Sequence, residues 1–178
     1  MSQENLSQVW CDTEKGDYTC HGVSMAETYH KVFVYGTLKK GQPNEYFMNM
    51  IPSVEYLGTA ETRTKYPLII GGEWNLPMLL NREGEGKTVK GEVYRVDNDA
   101  LERLDQFEGH PDFYERTEID VNFTKDDEVF STVKCWTYFI KDYSEKDVKQ
   151  EHFSLYDSAG CHGLVYDARE NDEHPSQS

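Results

Sequence analysis

Glu108 is the residue best placed for acid–base chemistry. Read as a helix, the segment 98–109 turns by about 100° per residue, which puts Leu101, Leu104 and Glu108 at roughly 0°, 300° and 340°. Glu108 thus sits between two core-facing leucines. A carboxylate turned towards a core loses water, which raises its pKa. The partial negative charge of a helix C-terminus raises it further. Both effects carry a weak base towards a useful general base near neutral pH. The competing outcome is a frayed last turn that releases Glu108 to water. Asp105, at roughly 40° on the same wheel, lies at the edge of the apolar face and is a weaker candidate. Glu102, at roughly 100°, and Asp99 point towards solvent.

The second candidate is a turn. The apolar run Val32-Phe33-Val34-Tyr35 breaks at Gly36 into the polar stretch Thr37-Leu38-Lys39-Lys40-Gly41-Gln42-Pro43-Asn44. That pattern describes a buried strand ending in a loop. A glycine there permits close backbone approach, and successive N–H groups of Tyr35, Gly36, Thr37 and Leu38 can cradle an anion. An ordinary reversal of the chain uses the same residues. A P-loop is excluded, because Gln42 and Pro43 follow Gly41 where Lys and Ser/Thr are required. Lys39 and Lys40 are available to an anion, although the commoner fate of such residues is solvation. Tyr66-Pro67 is an aromatic–proline step of the kind that adopts cis, or simply the start of a strand.

No nucleophile has a base beside it. Ser154, Ser158 and Cys161 have histidines nearby in sequence, but that is not a triad. The four cysteines, Cys11, Cys20, Cys135 and Cys161, include no C-x-x-C pair, and Cys20-His21 and Cys161-His162 lack the four-ligand spacing of zinc. Free thiols in a reducing compartment are expected, with Cys135 a small core residue. No metal or cofactor is indicated.

The elements that must position these residues are mostly strands. They are expected at 32–35, 54–62, 66–70, 90–96, 117–123 and 133–140, with an acidic turn at 125–128. A short helix is expected over 44–50, with Asn44 as a cap. The clearest helix covers 98–108, with Asp97, Asn98 or Asp99 capping its start and Gly109 stopping it. Many strands and few helices indicate an α+β domain built on a curled mixed sheet. Residues 156–163 carry two glycines and no periodicity, and read as an ordered loop, structural or lid-forming.

The chain has 178 residues and a formal net charge of −15. That length suits one domain over 31–170, with a polar extension at 1–30 and a disordered tail at 171–178. The acidity argues against nucleic acid and anionic membrane as partners, which require clustered Lys and Arg. No stretch approaches the roughly 18 apolar residues of a membrane span, and the first 30 residues lack the pattern of a secretory signal. A cytoplasmic monomer is expected.

Five ordered blocks carry a resemblance. They are VFVYGTLKKGQPN at 32–44, YPLIIGGEWNLPMLL at 66–80, GEVYRVD at 91–97, LERLDQFEGHPDFYERT at 101–117 and YDSAGCHGLVYDARE at 156–170. Through them the chain closely resembles the γ-glutamylamine cyclotransferases, within the wider γ-glutamylcyclotransferase-like (AIG2-like) group. The resemblance implies an α+β fold, a small mixed β-barrel flanked by a few helices. It implies conversion of an L-γ-glutamylamine, such as γ-glutamyl-ε-lysine from degraded transglutaminase crosslinks, to 5-oxoproline and a free amine. The family's catalytic glutamate falls on Glu108, and its substrate-binding loop on Tyr35, Gly36, Thr37 and Leu38. Two other readings remain: a cyclotransferase of γ-glutamyl dipeptides or glutathione, and a ligand-binding module without chemistry on the same fold.

Overall fold

The computed structural model describes residues 28–126 and 128–167. The expected extension and tail therefore lie largely outside the described residues, as do Cys11 and Cys20.

Strand β1 (His30–Val34) is the pivot of the fold. It pairs antiparallel with β5 (Lys90–Val96) and parallel with β7 (Glu128–Ile140), through Val32 opposite Tyr94 on one side and Trp136 on the other. Strand β2 (Glu55–Thr62) joins β5 to β6 (Tyr114–Lys125), and β6 returns to β7, all antiparallel. The order β1-β5-β2-β6-β7 closes into a barrel, the mixed α+β architecture expected. Closure leaves β1 covered on both faces, which explains a continuous apolar run where a half-exposed strand would alternate.

Period-two geometry then sends the β1 side chains into two cores. Phe33 and Tyr35 join Ala60, Val93, Val121 and Cys135, which come from all the other barrel strands and fill the interior. Val32 and Val34 join a second cluster between the barrel and helix α2 (Asn98–Glu108), whose Ala100, Leu101 and Leu104 face it. Helix α2 has the limits expected. The Asp97 carboxylate accepts from the Ala100 N–H at 2.8 Å, and Gly109 takes a left-handed φ of 65° as the C-cap. A hydrogen bond of 2.8 Å from His110 N–H to the Asp105 carbonyl closes this end.

The other elements depart from expectation in instructive ways. Helix α1 (Glu45–Asn49) lacks the side-chain cap expected of Asn44, because that side chain turns back to the preceding loop. Strands β3 (Leu68–Gly71) and β4 (Leu76–Leu79) form a separate hairpin in which Pro77 sits opposite Ile70. A proline argues against a central strand but is tolerated at an edge, which is why β4 escapes a reading of the sequence. The β6–β7 hairpin runs beyond 117–123 and 133–140. Its outer end is exposed over Glu128–Ser131, so burial imposes no alternation there. The Tyr66–Pro67 bond is trans, with Tyr66 held extended by paired backbone bonds to Lys87. A short helix, α3 (Glu145–Val148), follows with Ser144 as its cap. No helix among the described residues is long and apolar enough to cross a membrane.

Candidate active site

A cleft of about 330 Å³ opens between the C-terminal end of β1, the end of α2 and the β4 edge. It brings together every residue expected at the site: Tyr35, Gly36, Thr37 and Leu38 from the turn after β1, and Glu108 from the last turn of α2.

Glu108 is held there by the helix rather than by a partner. The left-handed Gly109 cap and the His110 return bond keep the last turn wound, so the side chain does not fray into water. No group among the described residues hydrogen-bonds or pairs with its carboxylate. The residue keeps part of its surface accessible through the cleft, but protein surrounds the carboxyl on most sides. Burial raises its pKa from the ordinary 4.5 to about 7. It is the one charged side chain among the described residues that line the cleft.

Asp105, one turn earlier, is fully engaged. It accepts a 2.8 Å hydrogen bond from the Tyr138 hydroxyl and an ion pair of 2.6 Å from Arg116, whose guanidinium lies over the Trp136 ring. Its position at the edge of the apolar face therefore serves anchorage, leaving Glu108 as the free carboxylate.

The turn offers donors. Among the described residues, no acceptor takes the backbone N–H of Gly36, Thr37 or Leu38, while their neighbours Lys39 and Asn44 bond back to the Gly36 and Thr37 carbonyls. Tyr35 anchors the start, its buried hydroxyl donating to the Tyr138 carbonyl at 2.8 Å. Gly36 does not have a left-handed φ. A side chain there would have to displace Pro77, because a Cβ would lie 2.7 Å from Pro77 Cγ. Asn44 Nδ2 clamps the turn through Thr37 Oγ1 at 3.1 Å and reaches the Tyr166 hydroxyl at 3.2 Å. Lys39 is buried rather than solvated, with Nζ on the Tyr156 carbonyl at 2.7 Å, and burial lowers its pKa. Lys40 Nζ packs over the Tyr56 ring.

Sequence reading missed Pro77, Tyr114, Tyr138 and Tyr166 as cleft residues. With 12 tyrosines in the chain, residue type alone does not single out the three that matter. The Tyr114 hydroxyl donates to the Pro77 carbonyl at 3.1 Å, fixing the β4 edge over the site. Cys135 is buried in the barrel and Cys161 is exposed, both as free thiols. Among the described residues, no three metal-type ligands cluster.

A closed small barrel joins a cleft whose described lining holds one carboxylate to a donor-rich glycine turn, an arrangement suited to an enzyme of acid–base chemistry. The chain belongs to the gamma-glutamyl cyclotransferase, AIG2-like family, whose model matches residues 32–172. It is 41% identical over 164 residues to a gamma-glutamylaminecyclotransferase of Bos taurus, covering 91% of this chain and 95% of that one. It is 39% identical over 128 residues to a putative gamma-glutamylcyclotransferase of Drosophila melanogaster, covering 71% and 79%. The crystal structure of an AIG2-like protein from Mus musculus superposes with a TM-score of 0.74 at 38% identity, covering 80% of this chain and 98% of that chain.

Proposed function

We propose that this protein converts L-γ-glutamylamines, with γ-glutamyl-ε-lysine as the leading substrate, to 5-oxoproline and a free amine, using Glu108 as general acid–base. Relatives named gamma-glutamylaminecyclotransferase, at about 40% identity over most of the chain, support cyclotransferase activity on γ-glutamylamines. The observation that carries the assignment of roles is the cleft itself. The Glu108 carboxylate, of raised pKa, suits the substrate's α-ammonium, and the open amides of Gly36, Thr37 and Leu38 suit its α-carboxylate or the developing oxyanion.

The chemistry follows from these groups. At neutral pH the α-amine is largely ammonium and cannot attack. Glu108 takes a proton from it, and the freed nitrogen attacks the γ-carbonyl carbon of the same molecule. A C–N bond forms, closing a five-membered ring. The tetrahedral centre then collapses with cleavage of the original γ-amide C–N bond. Glu108 returns that proton to the departing nitrogen as its C–N bond breaks, then takes the second proton that the ring nitrogen sheds in becoming the lactam N–H and passes it to the freed amine, which leaves as ammonium. The nucleophile belongs to the substrate, so no serine or cysteine is called for. Holding the glutamyl chain folded supplies the proximity term.

The test is 5-oxoproline release from γ-glutamyl-ε-lysine, γ-glutamyl-alanine and glutathione under one set of conditions. The expected result is a kcat/KM for the first at least tenfold above the others. That margin is the discrimination that one or two well-used contacts supply. Preference for glutathione or the dipeptide would place the chain beside the dipeptide-cleaving readings, and ligand binding without any release would make it a binding module.

The turn supplies a second test. In Gly36→Val the new side chain must displace Pro77, at an overpacking cost of about 1–3 kcal/mol. Pro77 lines the cleft, so KM is expected to rise more than melting temperature falls. An unchanged KM in the folded variant would count against the turn as part of the substrate site.

A further inference from the structure

The C-terminal segment, residues 156–167, has no helix or strand of its own, yet it is stitched to the substrate turn at three successive points. Lys39 Nζ donates to the Tyr156 carbonyl at 2.7 Å. Gln42 Oε1 accepts from the Ser158 N–H at 2.9 Å, and its Nε2 reaches Asp157 Oδ1 at 3.4 Å. Asn44 Nδ2 bridges the Tyr166 hydroxyl and Thr37 Oγ1. The far end is tied to the β3–β4 turn, by Asn75 Nδ2 on the Val165 carbonyl at 2.8 Å and Asp167 N–H on the Trp74 carbonyl at 3.1 Å. The segment thus runs from one rim of the cleft to the other, and Tyr166 forms part of the cleft wall.

Apolar burial holds this strap at its first residue alone. Tyr156 is buried in the barrel core, but Leu164 and Val165 are exposed. Beyond Tyr156, polar stitches carry much of its attachment. The stitch at Tyr156 is expensive to make, because a buried lysine amine must be stripped of water, and Glu92 and Asp157 offset part of that cost. A chain that buries an amine to grip a loop carbonyl, and spends both ends of a glutamine on the next two residues, couples the two segments mechanically.

We infer that residues 156–167 form a positioning strap that holds the substrate turn in its receiving shape and closes the cleft with Tyr166, so that loosening the strap weakens substrate binding from outside the site. This rests on the cyclotransferase reading for its kinetic consequence alone. Gln42 is the informative residue. It lies outside the cleft lining and is partly exposed, so its removal touches neither substrate nor core. It is a positioning residue, acting through the strap.

The experiment combines steady-state kinetics of γ-glutamyl-ε-lysine cyclisation with amide hydrogen exchange on the full chain, for wild type, Gln42→Ala, Tyr166→Phe and the double variant. Gln42→Ala should raise KM by roughly 3- to 10-fold, the scale of one net hydrogen bond, with kcat changed less than about twofold. Exchange should quicken in peptides covering 156–167 and also in those covering 36–44, where the Asn44 N–H is bonded to the Thr37 carbonyl. The double variant should lose less than the product of the single losses, because both act on one strap. The inference is overturned if the strap exchanges faster while KM and the turn stay as in wild type, or if neither segment's exchange changes. If the wild type releases no 5-oxoproline, the cyclotransferase reading has failed on its own. The exchange measurement, which needs no substrate, then decides the strap: faster exchange in both segments upholds it and an unchanged turn rejects it.

Discussion

Glu108→Gln should lower turnover of γ-glutamyl-ε-lysine by roughly 10²–10⁴-fold, the usual scale of general acid–base catalysis, while leaving the fold intact. Glutamine matches the shape of glutamate but takes no proton at neutral pH. No hydrogen bond or ion pair is lost with the charge, since the carboxylate has no partner among the described residues. The turn amides are untouched, so affinity for a non-reacting substrate analogue should change far less than turnover. Asp105 cannot substitute as base, because the Tyr138 hydroxyl and Arg116 occupy its carboxylate. Glu102→Gln is the matched control, on the exposed face of the same helix, and should turn over as wild type does. The measurements are the rate of 5-oxoproline formation and the analogue's Kd for each variant. Near-normal turnover in Glu108→Gln would reject the assigned mechanism. Equal losses in the two variants would trace the effect to the helix rather than to the proton.

How much of this was legible in the sequence depends on the range of the interactions involved. Helix α2 and its caps are written locally, in Asp97, the leucine spacing and Gly109, and the structure reproduces their limits. The buried run of β1 is equally local. Barrel closure is not, because it needs β1 to lie parallel to β7 about a hundred residues later, and nothing in either strand names its partner. The same holds for side chains whose roles are set from afar. Asn44 has the right type and place for a helix cap, yet its amide is claimed by Thr37 and Tyr166. Lys39 stands in a lysine pair that reads as solvated, yet a carbonyl 117 residues away draws it into the protein. Gly36 reads as a place of close approach, and the group that approaches it is Pro77, from a strand whose proline hides it. Cleft residues were thus legible where a local pattern marks them, the helical period for Glu108 and the strand-ending glycine turn for Tyr35 to Leu38. Those brought in by the barrel's return and by the C-terminal strap were not.

The titration of Glu108 should appear twice, once in the rate and once in stability. With the carboxyl at about 7, kcat/KM should fall about tenfold per pH unit below neutrality, reaching roughly 100-fold by pH 5. Tyr35 and Tyr138, the titratable groups whose ionisation its charge opposes, do not complicate this limb. Burial first, and then the nearby carboxylates, push both hydroxyls well above their ordinary range, so they stay neutral throughout. The stability effect has the opposite sense to that of a salt-bridged carboxylate. Folding raises this pKa from 4.5 to about 7, so between those values the unfolded chain has released a proton that the folded chain still holds. Glu108 therefore costs nothing below pH 4.5, costs progressively more as pH rises to about 7, and costs a constant amount above it. Water reaching the carboxyl through the cleft reduces the full linkage value to roughly 1–2 kcal/mol. Glu108→Gln removes that cost, so denaturant unfolding should find the variant no more stable than wild type at pH 4 and more stable by about that amount at pH 8. An acid limb near pH 4.5 in the wild type, together with variant and wild-type stabilities that differ equally at both pH values, would mean that the carboxyl is fully hydrated and unfit for the role. One group observed by two independent measurements, with the midpoint of the rate limb matching the pH at which the stability cost levels off, ties the chemistry of the cleft to the packing that creates it.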